Sequence, residues 1–350
     1  MKKRHRVWLL CALAAGCASD GEPPETVCDP STQACTLRHD FGAYALGAGV
    51  EIDGVCMSWT VGNEADLWVQ AVRTENDGYF HHSNWFFVPE STLAEPDGHW
   101  DCWKVGFSEV DAAIAGGVLY AQSTQSRGEE QRFTTGAAVR IPARSRIVAY
   151  THLLNAGAAA ARTAMRLELD TVPRGEVTAE LAPFRLNYND LKIPPKTHAE
   201  FEGRCDVRAT HATAVGGPFR LRLYYLLPHF HGLGTGFTLG VHGGAHDGET
   251  LFRLEAAYGD PLGHTFPEPV DLAALGADGL WFRCAYDNPR DAEVGYGIGD
   301  QEMCVMLGFS DSGMLFDGLV SSTETLEPSA KGVLGRGACA VVGIPYPLGG

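Results

Sequence analysis

The sequence has few basic residues: Lys and Arg number 27 against 43 Asp and Glu, a formal charge of −16. That balance opposes nucleic acid and anionic lipid as partners, and no basic patch suggests otherwise. No Cys-x-x-Cys pair occurs among the ten cysteines, which lowers the odds of a structural zinc site. Charged residues make up only 20% and hydrophobic ones 45%, so long disorder is not expected. Ala-rich stretches that suggest helical turns are confined to 112–121 and 156–161, and neither carries function. What the chain has instead is 42 Gly and 19 Pro, a composition of many turns and short strands. At 350 residues it suits two domains of about 150 residues each.

The N-terminus opens with the basic run Met1-Lys2-Lys3-Arg4-His5-Arg6, followed by apolar residues from Val7 to Ala15. This pattern is that of a bacterial export signal, too short to remain as a membrane anchor. Its end, Leu13-Ala14-Ala15-Gly16-Cys17, is similar to a lipoprotein processing box with Cys17 as the acylated residue, although Ala14 stands where a large aliphatic residue is usual. Removal of residues 1–16 takes away Lys2, Lys3, Arg4 and Arg6 and moves the formal charge from −16 to −20. Residues 1–17 are therefore expected to be signal and lipobox, and 18–40 a polar, Pro-containing tether. Either acylation at Cys17 or ordinary cleavage nearby places the protein outside the cytoplasm, in the cell envelope or secreted.

Beyond Cys11 and Cys17, the other eight cysteines are an even number in an exported chain and imply disulfides. Cys28 and Cys35 are close enough in sequence to close a small local loop. Short strand-like runs follow at 55–59, 67–72, 85–88, 137–141, 146–150 and 164–170, broken by Gly, Asp, Asn and Pro. They predict a β-sandwich. Turn residues cluster at 171–197, which sets a boundary between an N-terminal domain at 41–180 and a C-terminal one at 181–350. The second half resumes with strands at 219–227, 236–241, 280–286 and 303–309.

The stretch Pro228-His229-Phe230-His231-Gly232-Leu233-Gly234 is the centre of the chain's chemistry. A strand running into it would place His229 and His231 on one face, as half a metal site. An isolated His-x-His is more often an ordinary strand end, but further ligands exist. His81 and His82 form a doublet that can meet on one ion only if the backbone twists or bulges there. His152 is expected to end another strand, and three neutral imidazoles suit copper or zinc. Met303, opening a strand after Gly299-Asp300-Gln301-Glu302, adds a soft thioether that favours Cu(I).

Together with Arg283-Cys284-Ala285-Tyr286-Asp287-Asn288, these motifs resemble the ascorbate-dependent type II copper monooxygenases, the family of dopamine beta-monooxygenase and peptidylglycine alpha-hydroxylating monooxygenase. The resemblance spans about residues 40 to 345 and is thinnest at 90–140. It implies two tandem, jelly-roll-like β-sandwich domains and two coppers per chain. One copper would be held by His81, His82 and His152, and would store and pass an electron. The other would be held by His229, His231 and Met303, and would bind and activate O2. The resemblance also implies disulfides Cys56–Cys102, Cys205–Cys339 and Cys284–Cys304, a cleft between the domains for substrate, and ascorbate or a similar reductant as co-substrate.

The sequence departs from the peptide-amidating member at Leu227, Val305 and Leu307, where Arg, Asn and Tyr would hold a peptide carboxylate. A more apolar pocket and no activity on glycine-extended peptides are expected. No general acid or base stands out, and His198, His211, His242, His246 and His264 are expected at the surface. The resulting expectation is an exported, lipid-anchored monooxygenase acting on a C–H bond of a small molecule. The alternatives are a non-catalytic copper-binding lipoprotein for capture or storage, and a purely structural or adhesive sandwich protein.

Overall fold

The structure, a computed structural model, describes residues 28–255 and 261–346. The expected export signal, Cys17 and the first part of the tether lie outside the described residues. Two β-sandwiches follow one another along the chain. In the first, one sheet is ordered Gly98–Asp101, Val50–Thr60, Ser145–Asn155, Phe80–Pro89, Gly117–Ala121. The opposing sheet runs Cys35–Leu46, Ala161–Thr171, Leu67–Asn76, Ala137–Ile141, Ala179–Glu180, with Gly128–Arg132 paired to Leu67–Asn76. Along Ala161–Thr171 the residues Thr163, Met165, Leu167, Leu169 and Thr171 are buried while their neighbours are not, the period of two that lays one face on a core.

The second half is built on an 11-stranded sheet folded over itself. Its corner is the long strand Val333–Pro345. The first part of that strand pairs with Thr197–Asp206 and the remainder with Met314–Val320, so one strand serves both layers. The two apolar cores change over between Ala182 and Phe184 in sequence, with a few exceptions. Tyr224, Tyr225, Leu227, Phe309 and Tyr346 of the second half pack into the first core.

The four disulfides Cys28–Cys35, Cys56–Cys102, Cys205–Cys339 and Cys284–Cys304 are all formed. They belong to an oxidising compartment outside the cytoplasm. No helix among the described residues is long and apolar enough to cross a membrane.

Several local expectations need correction. Strand Cys35–Leu46 begins inside the segment expected to be tether, because its residues pair with Ala161–Thr171. Strand Ala182–Tyr188 lies within the stretch where the strand pattern seemed to lapse. Its near-continuous burial on both faces removes the alternation that would reveal it. Of 112–121 only the start is helical, in Glu109–Ala115. A Cβ at Gly116 would lie 1.8 Å from the Phe87 carbonyl oxygen, so the chain passes flush against that strand and continues as Gly117–Ala121. No helix forms at 156–161. His211 is buried rather than exposed, on the inner face of helix Arg208–Ala214 with its ring edge-on to Phe219.

Candidate metal centre between the two halves

His82 pairs directly with His152 across adjacent strands, and Phe80 pairs with Leu153, so His81 is an extra residue bulged out of the ladder. The bulge lets consecutive side chains turn to one side. His152 lies within strand Ser145–Asn155 rather than at its end. One nitrogen from each of His81, His82 and His152 lies within 4.8 Å of the others, within reach of a single ion.

His229 is the last residue of strand Arg222–His229, and His231 stands beyond it. The two rings nevertheless approach to 5.3 Å between centroids, and a tight turn closed by the Gly234 N–H on the His231 carbonyl follows directly. Phe230, which separates them in sequence, is fully buried. A Cβ at Gly234 would fall 2.1 Å from its ring, so the glycine is what lets Phe230 fill this space.

The tautomers follow from the hydrogen bonds. Nδ1–H of His229 donates to the carbonyl of Ser123 at 2.7 Å, and Nδ1–H of His231 to that of Gln301 at 2.9 Å. Each leaves a lone pair on Nε2, and Nε2 of His231 is buried with no hydrogen-bond partner. His81 Nδ1 lies 3.2 Å from Gln125 Oε1, while the Gln125 amide donates to the Gly78 carbonyl, so the ring donates there too. Nδ1 of His82 and both ring nitrogens of His152 are buried without hydrogen-bond partners. Orphaned imidazole nitrogens in a buried space are costly unless something binds them, and a metal ion would satisfy one nitrogen of each ring that ligates it.

Burial, above all, lowers the pKa of His81, His82, His229 and His231, and the neighbouring rings add to the effect. His229 falls to about 3. The rings are thereby kept neutral, the form that ligates metal.

Met303 is half-buried, two residues before strand Val305–Ser310 rather than on it. Its carbonyl accepts the Tyr286 hydroxyl at 2.6 Å, and the Cys284–Cys304 bridge fixes the next residue. Glu302, which is 1% exposed, accepts the backbone N–H groups of His231 at 2.8 Å and Leu233 at 2.7 Å. The segment carrying Met303 is thus tied to the histidine turn.

The histidines of the two halves are neighbours. His82 and His229 rings lie 5.5 Å apart and His81 and His231 rings 5.8 Å apart, hardly more than the 5.4 Å between His81 and His82. Loop 122–126 of the first half joins them. Gln122 anchors it to the His81 strand by bonds with Ser83 and the Phe80 carbonyl. Ser123 binds Glu129 through its N–H and hydroxyl, receives the Leu262 N–H, and offers its carbonyl to His229.

The apolar replacements do not line an open cleft. Leu227 is 1% exposed and belongs to the first core, Leu307 packs against that core, and Val305 is buried. The Phe133 ring lies 5.1 Å from Phe309 and 6.1 Å from Tyr225, filling the interface beside them. Two cavities, one around Thr134 and Pro267 and the other around His198 and Arg283, are lined by none of these five histidines or Met303.

Ser123, Gln125, Gln301 and Glu302 had no signature in the sequence. Ser123 and Gln301 act through backbone carbonyls, which every residue type has. Fold and site together define an all-β, disulfide-stapled protein of two sandwiches with a buried histidine cluster between them.

No family model matches the chain, and no curated protein does. Among solved structures it is similar to the major capsid protein P2 of bacteriophage PM2, at 8% identity over 79% of this chain and 97% of that one, with a TM-score of 0.28. A putative secreted protein from Parabacteroides distasonis is similar at 8% identity over 80% of this chain and 90% of that one, with a TM-score of 0.21. At these scores neither bears on function.

Proposed function

We propose that the chain is an exported copper monooxygenase that hydroxylates a C–H bond of a small molecule, using O2 and an ascorbate-like one-electron donor. The single observation that carries the reading is the convergence of His81, His82 and His152 within 4.8 Å. The residues fit copper because the imidazoles are neutral and buried and the second ligand set is a soft one. His81, His82 and His152 would hold one ion, and His229, His231 and Met303 the other. Bound there, copper supplies one-electron redox chemistry and an open coordination position for O2.

The protein's own part is positional. The Ser123 and Gln301 carbonyls fix the ring tautomers, Glu302 holds the turn, and the apolar surroundings exclude water. We place the mature protein in the bacterial cell envelope through a lipid on Cys17, with no nucleic-acid partner.

The test is copper bound per folded chain after loading and washing, for the wild type and for Met303→Ile. The wild type is expected to hold two equivalents and the variant one. A wild type that retains none would sink every copper reading. If copper binds, O2 consumption with ascorbate that depends on Met303 and on added substrate separates the enzyme from a copper-capture protein.

A further inference from the structure

Three histidines account for the ligands assigned so far to the first copper, but they are not the only donors in that space. Glu51, on strand Val50–Thr60, places Oε1 2.8 Å from Nε2 of His152. The approach does not meet hydrogen-bond geometry, since His152 Nε2 and Nδ1 both lack a hydrogen-bond partner although the side chain is only 1% exposed. Asp53, which stands directly across the ladder from His152, is turned instead to the Tyr150 hydroxyl at 2.9 Å. Glu51 is therefore the carboxylate left facing the ring, and among the described residues no other side chain engages it. Its charge is also felt at His81 and His231.

We propose that Glu51 is a fourth, anionic ligand of the copper held by His81, His82 and His152. The distance fits: two donors bound at about 2.0 Å to one ion and about 90° apart stand roughly 2.8 Å from each other. A carboxylate that merely oriented the ring would lie along its N–H bond and satisfy it. The inference rests on the copper reading above and gives the two sites opposite preferences. A hard anionic oxygen favours Cu(II) at the three-histidine site, whereas the thioether of Met303 favours Cu(I) at the other. Glu51 thus lowers the reduction potential of the copper it binds.

The experiment uses the full mature chain carrying Met303→Ile, so that one copper remains, with and without Glu51→Gln. Cu(II) electron paramagnetic resonance and the reduction potential are read on both. The second substitution is expected to change the copper hyperfine splitting, raise the potential, and weaken Cu(II) retention by about tenfold or more. Glu51→Asp, which keeps the charge on a shorter arm, is expected to fall between. Because Glu51 is 46% exposed, the thermal melt of the metal-free protein should not move. Unchanged spectra and potential with copper still bound would overturn the ligand assignment. Loss of copper already in Met303→Ile alone would instead count against the two-site reading.

Discussion

Residue by residue, the histidines that converge were legible because such His motifs are chemically unusual, whereas the groups that orient them were not. Ser123 and His229 are 106 positions apart, and their contact is through a backbone carbonyl. Behind Ser123 stands Glu129, 5% exposed, whose carboxyl is raised to about 7 chiefly by burial, against the hydrogen bonds from Ser123. The sign of its pH effect follows directly. Between about 4.5 and about 7 the native state keeps a proton that the unfolded chain has lost, so this group's contribution to stability falls as pH rises through that window. A shift of that size corresponds to roughly 3 kcal/mol at most. In urea unfolding at pH 5 and pH 8, the wild type should lose stability relative to Glu129→Gln at the higher pH. A difference that stays constant, or moves the other way, would mean the carboxyl is ionised throughout.

Secondary elements were legible where burial is one-sided and hidden where it is not. Strand Ala161–Thr171 alternates and shows in the sequence, while Ala182–Tyr188, buried on both faces, does not. The bulge at His81 could be required but not seen: two adjacent histidines can serve one ion only if the ladder slips there, and the slip between Phe80 and His82 is present.

The Cys284–Cys304 bridge acts at this scale too, since it closes 20 residues and holds the segment carrying Met303. Such a loop contributes about 3 kcal/mol, by an entropic account that is model-dependent. The paired substitution Cys284→Ser with Cys304→Ser should leave a folded protein at room temperature that retains one copper of two. Retention of both until the protein unfolds would show that Tyr286 and Glu302 hold Met303 without the bridge.

For the whole molecule, the division into two sandwiches follows from strand spacing, but the closeness of their functional groups does not. The resemblance implied two copper sites beside a substrate cleft. Instead the rings of the two halves approach to 5.5 and 5.8 Å, and the neighbouring interface is packed. Contacts of this kind join residues more than a hundred positions apart and leave no periodic trace in a sequence.

They do leave an energetic one. Tyr225, Leu227 and Phe309 belong in sequence to the second half and in space to the first core, so neither half can unfold without exposing apolar surface of the other. The metal-free protein should therefore show one calorimetric transition rather than two. Phe309→Ala, which removes a ring in contact with Phe133, should cost about 3–5 kcal/mol and shift that single transition as a whole. Copper should raise it in one step, because each half would hold one ion and neither half unfolds without the other. Two separate transitions, with only the one from the second half moved by Phe309→Ala, would mean that the halves fold independently. The packed interface would then be a contact the protein can open at little energetic cost, and substrate would enter through it.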